Sequence, residues 1–234
     1  MNVALILAGG TDSRFKMNIP KQFVNVNNRP VIVYTLEIFQ RHPEIDEIIV
    51  SCLDGWQEMV RVYGKQFNIT KLKAILPGGR NAQESTYHGL DYLKEKMGQG
   101  DIVIIHDAIR PMVSEEIISR SMQMCRKKGN GVAATYIMDS IMHSKNGLEG
   151  NKTINRYEIM KVQTPQSFDF KAIWDLHKKA INEHKLGAWD NSTLLSNLGE
   201  TVYFSEGSDL NLKINTTEDI EMFKALYQME HPEE

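Results

Sequence analysis

Short, almost continuous apolar runs alternate with amphipathic stretches along most of this chain, and that rhythm constrains its fold more than any other feature. Val3 to Leu7 is nearly pure hydrocarbon and stops at Ala8-Gly9-Gly10, the pattern of a central strand covered on both faces. Asp46 to Leu53, Leu72 to Leu76, Ile102 to Ile105 and Gly131 to Ile137 read as further strands. Between them, helices are predicted from Pro30 to about Gln40, where Val31, Tyr34, Leu36 and Ile38 supply an apolar side, and from about Ala82 to Lys96. Ser114, with Glu115 and Glu116 in the turn that follows, opens another. Strands alternating with helices predict a three-layer α/β domain around a mostly parallel sheet.

Met138 to Val162 breaks the rhythm with polar, glycine-containing stretches around Lys145 to Asn151 and reads as a hairpin or arm. Helical patterns return at about Asp169 to His184 and Asp190 to Asn197, then a strand near Thr201 to Phe204 and a last helix from Thr217 to Met229. With no internal repeat and no low-complexity linker, residues 1–234 read as one domain carrying one excursion.

The first apolar run is far shorter than the roughly 18 residues of a membrane span. Only Asn2 separates it from the initiator methionine, without a basic segment, so no signal peptide is expected either. Cys52 and Cys125 lack metal-ligand spacing, which fits a reducing compartment and leads us to expect a cytoplasmic protein with no membrane partner. A formal net charge of −3 and the absence of like-charge runs give no footprint for nucleic acid. An anionic ligand then has to be held by a few placed cations.

Ligands of open α/β sheets sit beyond the carboxyl ends of the strands. After the first strand, Ala8-Gly9-Gly10 lets a ligand approach the backbone, and Arg14 and Lys21 add cations. Taken alone, this reads equally well as a glycine-rich turn with two solvated bases. It has neither Walker A nor Gly-x-Gly-x-x-Gly spacing, so neither a P-loop NTPase nor a dinucleotide enzyme is supported. After the third strand, Gly78-Gly79 can receive a flat base, with Ser85 one helical turn on. After the fourth, His106-Asp107-Ala108-Ile109-Arg110-Pro111 offers a carboxylate able to bind Mg²⁺, or an Asp-Arg pair that fixes the loop. Asn211-Leu212-Lys213-Ile214 puts a lysine inside what reads as an apolar strand, where a long cation needs a partner.

Pro20-Lys21-Gln22-Phe23, His106 to Pro111, Gln163-Thr164-Pro165-Gln166-Ser167-Phe168 and Asn211 to Ile214 occur in one register. Through them, from Leu5 to about Phe223, the sequence resembles the cytidylyltransferase family that includes 2-C-methyl-D-erythritol 4-phosphate and ribitol-5-phosphate cytidylyltransferases. The resemblance implies a Rossmann-like nucleotidyltransferase fold with a protruding β-arm, CTP as co-substrate, Mg²⁺ or another divalent cation, and a homodimer whose arm, about 138–161, reaches the partner's active site. It assigns Arg14, Lys21 and Lys213 to catalysis, and Ala8, Gly9, Gly10, Gly78, Gly79, Ser85 and Asp107 to CTP. It gives Asp107, Arg110, Arg156, Thr164 and Lys213 to the acceptor, and Asp107 to the metal. A phosphate acceptor is already ionised at neutral pH, so catalysis is expected to be positioning and charge stabilisation, with His106 structural.

Two departures from the family pattern stand out. Asp12 replaces a usual third glycine, and Trp189-Asp190-Asn191-Ser192-Thr193-Leu194 replaces a Thr-Asp-rich stretch and receives no role. Leu53-Asp54-Gly55-Trp56 and Asn155-Arg156 resemble the ribitol-phosphate enzymes and set the expected acceptor as ribitol 5-phosphate or a similar alditol phosphate. The alternatives are methylerythritol phosphate, a sugar-1-phosphate enzyme using UTP or GTP, and, motivated by Asp12, a non-catalytic nucleotide-binding protein.

Overall fold

The computed structural model describes residues 1–10, 15 and 19–232. Asp12 and Arg14 lie outside the described residues. The chain runs β1 (Asn2–Ala8), β2 (Asn25–Val26), β3 (Arg29–Pro30), α1 (Val31–Arg41), β4 (Glu47–Cys52), α2 (Gln57–Gln66), β5 (Leu72–Pro77), α3 (Ala82–Leu93) and β6 (Ile102–Asp107). It continues through α4 (Glu115–Lys128), β7 (Asn130–Tyr136), β8 (Ile141–His143), β9 (Lys152–Ile154), β10 (Met160–Asp169), α5 (Phe170–Asn182), α6 (Asn191–Asn197), β11 (Phe204–Glu206) and α7 (Thr217–Glu230).

Seven strands form one sheet in the order β11-β7-β10-β6-β1-β4-β5, parallel except for β10, which runs against both neighbours. The mostly parallel α/β class is therefore as expected. Val3 to Ile6 are wholly buried, because helices cover both faces: α1, α2 and α4 on one, α3, α5 and α6 on the other. A third apolar cluster seats Ile220, Phe223 and Tyr227 of α7 against Val31 and Tyr34 of α1.

Local chemistry sets the helix ends. Ser114 accepts from the Ile117 N–H at 3.3 Å, and Gly129, at φ 90°, closes α4 in the left-handed region. Asp190 caps α6, and Thr216 with Asp219 forms a capping box on α7.

Register places the functional loops. Leu7 lies opposite Asp107, Ala8 opposite Cys52, and Cys52 opposite Pro77, so the carboxyl ends of β1, β4, β5 and β6 share one edge of the sheet.

Three expectations change. β10 is absent from the strand pattern because Pro165 and the glutamines around it read against a central strand; the ladder accommodates them with an irregularity between Val162 and Gln166. It also takes Met160 to Val162 out of the predicted excursion, whose structured part is the β8–β9 hairpin. Residues 211–214 are not a strand but an irregular segment, docked by the Ile214 N–H on the Ile109 carbonyl at 2.9 Å. Among the described residues, no helix is long and apolar enough to cross a membrane.

Candidate active site

A cavity of about 440 Å³ opens at that shared edge. Its walls include the sequence-predicted Ala8, Gly9, Gly10, Gly79, Ser85 and Asp107, together with Lys21 and Lys213. Gly9 and Gly78 bring two loops into close backbone approach. A Cβ on Gly78 would stand 3.0 Å from the Cys52 carbonyl oxygen and 3.3 Å from the Gly9 Cα, so a side chain there would force the loops apart. The Gly78 N–H donates to the same Cys52 carbonyl at 2.6 Å, and the Gly79 N–H donates to Ser85 Oγ at 2.9 Å. Ser85 thus fixes one glycine loop as well as facing the cavity.

Gln22, next to Lys21, does the same for the other loop. Its amide nitrogen donates to the Ala8 carbonyl at 2.8 Å and the Gly10 carbonyl at 3.3 Å. Lys21 sits in a short 3₁₀ turn, Lys21–Phe23, and is 6% exposed. Phe23 pins that turn by stacking on Trp56, with ring centroids 4.4 Å apart. The β4–α2 loop and the Pro20 to Phe23 motif are therefore one packed unit.

The opposite wall is electrostatic. Asp107 Oδ2 receives Arg110 Nε at 3.1 Å and Lys213 Nζ at 3.0 Å. Burial alone pushes this carboxyl up, but the two cations overcome it and hold it well below the usual carboxylate range. Arg110 also donates to the Asn211 carbonyl at 2.8 Å and is 9% exposed. It backs Asp107 and does not line the cavity. The Asp107 N–H donates to Thr164 Oγ1 at 3.1 Å, and that hydroxyl meets His106 Nδ1 at 3.1 Å. His106 Nε2 faces the Arg110 carbonyl, which can only accept, so the imidazole is neutral with its proton on Nε2 and takes the Thr164 hydroxyl hydrogen on Nδ1. Thr164 is thereby a buried strut of the Asp107 loop. Arg156, in a 3₁₀ turn beyond β9, bonds the Met138 carbonyl and lies over Tyr157; it is not among the residues lining this cavity.

Among the described residues, the donor set does not make a protein-held metal site. Asp107 already meets two cations through Oδ2, and no cluster of three His, Cys, Asp or Glu occurs among the described residues. Among the described residues, no second carboxylate stands beside Asp107 to share a metal ion with it.

Burial pushes the His106 imidazole down to about 3, and burial likewise pushes His177, which donates from Nε2 to Asn191 Oδ1 at 2.9 Å, down to about 4. Unfolded imidazoles titrate near 6.5. Folded values below the unfolded one give stability that is complete above pH 6.5 and declines as pH falls below it. Melting temperatures measured from about pH 7.5 to about pH 5 should fall towards acid, and His177→Gln should flatten that slope. An equally steep slope in the variant would remove His177 as its source.

Asn211 and Gln163 are further parts of the site that the sequence motifs contain but do not explain. Asn211 Nδ2 donates to the Thr164 carbonyl at 2.9 Å, and Gln163 Nε2 donates to the Ser208 carbonyl at 2.8 Å, stitching β10 to the segment that carries Lys213.

The family model of IspD, 2-C-methyl-D-erythritol 4-phosphate cytidylyltransferase, matches residues 2–229. A ribitol-5-phosphate cytidylyltransferase of Lacticaseibacillus paracasei is 40% identical over 228 residues, 96% of this chain and 97% of the relative. A 2-C-methyl-D-erythritol 4-phosphate cytidylyltransferase of Clostridium botulinum is 35% identical over 219 residues, 94% of each chain. Among solved structures, the 4-diphosphocytidyl-2C-methyl-D-erythritol synthase of Anaerococcus prevotii superimposes with a TM-score of 0.81 at 26% identity, covering 97% of this chain and 96% of that one.

Proposed function

As a member of the IspD family of cytidylyltransferases, to which it belongs, this chain is a nucleotidyltransferase that uses CTP, and we propose that its acceptor is ribitol 5-phosphate. The products are CDP-ribitol and pyrophosphate. The observation that carries this reading is the 40% identity, over nearly the full length of both chains, to a ribitol-5-phosphate cytidylyltransferase, against 35% to a methylerythritol-phosphate enzyme. The second reading, 2-C-methyl-D-erythritol 4-phosphate as acceptor, is favoured by the family model itself.

In the proposed reaction an oxygen of the acceptor phosphate attacks the α-phosphorus of CTP, and the bond from that phosphorus to the bridging oxygen breaks, expelling pyrophosphate. The acceptor is already an anion, so no side chain need remove its proton. The cytosine and ribose lie against Ala8, Gly9, Gly10 and Gly79, with Gly78 behind them and Ser85 holding the loop. Lys21 meets the triphosphate, with Arg14 as its proposed companion. Lys213, held by Asp107, meets the acceptor phosphate. A divalent cation such as Mg²⁺, if bound together with CTP, would supply charge neutralisation.

We also read the chain as a cytoplasmic homodimer in which the arm brings Arg156 to the partner's cavity, with Arg110 and Thr164 supporting the acceptor site through Asp107. What supports the dimer is exposed apolar surface on and beside the hairpin: Tyr136, Met138, Met142, Leu148 and Tyr157.

Pyrophosphate release from CTP, assayed with ribitol 5-phosphate, methylerythritol phosphate and glycerol 3-phosphate, tests the acceptor. Ribitol 5-phosphate is expected to give the highest kcat/KM, by about tenfold or more over the others. A preference for methylerythritol phosphate would transfer the assignment to the second reading, and a preference for UTP over CTP would overturn the nucleotide.

A further inference from the structure

Asn215 lines the same cavity, and neither the sequence motifs nor the roles above give it a task. Its side chain joins the two lysines. Oδ1 accepts from Lys21 Nζ at 3.3 Å, while Nδ2 donates to the main-chain carbonyl of Lys213 at 3.2 Å. Its backbone is fixed independently: the Asn215 N–H donates to Asp219 Oδ2 at 2.8 Å. That carboxylate also takes the Thr216 N–H at 2.9 Å, within the capping box of α7. Ile214, just before it, is wholly buried and tied to Ile109. The α7 cap therefore anchors one amide, and that amide reaches both the N-terminal lysine turn and the C-terminal lysine segment, 194 residues apart in sequence at the Lys21 contact.

The side-chain amide suits both contacts. An ammonium requires an acceptor and a carbonyl requires a donor, and Asn presents one of each on a short, stiff stem. Aspartate would turn a lone pair toward the Lys213 carbonyl, and alanine would remove both contacts. Lysine carries considerable rotamer freedom, so a cation held before substrate arrives loses less on binding it.

We propose that Asn215 is a positioning residue that locks Lys21 and the Lys213 backbone into one unit, setting the spacing between the cation for the triphosphate and the cation for the acceptor phosphate. This rests on the reading of the cavity as the CTP and acceptor site.

The test is a double-mutant cycle in CTP affinity, measured by calorimetry on the full chain with Asn215→Ala, Lys21→Met and the pair. Asn215→Ala is expected to weaken CTP about tenfold when Lys21 is present and by less than about twofold in the Lys21→Met background. CMP, which lacks the two outer phosphates, should lose less than about twofold in Asn215→Ala. Where CTP binding to Lys21→Met is too weak to measure, the contrast between CTP and CMP in Asn215→Ala decides. Equal losses in both backgrounds, equal losses for both nucleotides, or unchanged CTP affinity in a folded Asn215→Ala would overturn the proposal. Asn215→Leu, which has neither donor nor acceptor, serves in the same cycle if the alanine variant fails to fold. Turnover of ribitol 5-phosphate by the unaltered protein separates the two ideas: CTP binding without that turnover refutes the acceptor while the cycle still judges Asn215, and normal turnover with an additive cycle refutes Asn215 alone.

Discussion

Replacing Lys21 by methionine is expected to lower kcat for CTP-dependent pyrophosphate release about 10²- to 10³-fold while leaving the melting temperature nearly unchanged. The ammonium sits at the cavity wall in a buried 3₁₀ turn, where little water screens it. A cation placed there in advance need not reorganise as charge builds on the leaving pyrophosphate. Methionine keeps most of the hydrocarbon stem, so the packing of the turn around Phe23 and Trp56 is preserved and the loss reports charge. Alanine would mix a packing defect with the chemistry. Steady-state kinetics with CTP and ribitol 5-phosphate, beside thermal melts, check this; near-wild-type kcat in a folded variant would take Lys21 out of the reaction.

The parts of the site legible in the sequence are those attached to strand ends. The runs of β1, β5 and β6 each stop at the residues that line or back the cavity, namely Ala8 to Gly10, Gly78-Gly79 and Asp107, because a parallel sheet gathers all its carboxyl ends on one edge. What hydropathy could not disclose is polar pairing. β10 hides in the pattern because Gln163, Thr164 and Gln166 are buried yet satisfied by Ser208, His106 and Asp190, so its polar positions look like loop. Lys213 was expected inside an apolar strand. It lies instead on an irregular segment, and the partner that a long cation in such surroundings requires is Asp107, more than a hundred residues earlier. Arg110 illustrates the same limit: its motif offers either a carboxylate able to bind Mg²⁺ or a loop-fixing Asp-Arg pair, and the folded chain contains the ion pair. Such contacts depend on which loops the topology brings together, and no local window contains that information.

Asp107 and Lys213 should separate cleanly when each is replaced by alanine, because they share an ion pair but not its consequences. Asp107→Ala leaves Arg110, whose side chain is 10% exposed, beside Lys213 with no counter-charge between them. Breaking a mostly buried pair in this way costs about 3 kcal/mol or more, so the variant should melt well below the parent. Lys213→Ala leaves Asp107 still paired with Arg110, and Lys213 is 39% exposed, so its removal should cost no more than about 1 kcal/mol. Both should lose about 10²-fold or more in kcat, the first because Lys213 is no longer held and the second because it is gone. The acid limb supplies the sign. The folded carboxyl titrates below the unfolded value of 3.8, so the stability it carries is present above that pH and is lost as pH falls through the folded value. The deficit of Asp107→Ala should therefore be full at neutral pH and shrink in acid. Melts across that range with both variants, alongside neutral-pH kinetics, give four readings. Equal stability losses in the two, or a deficit that does not shrink in acid, would mean that the carboxylate is not what holds the two cations together.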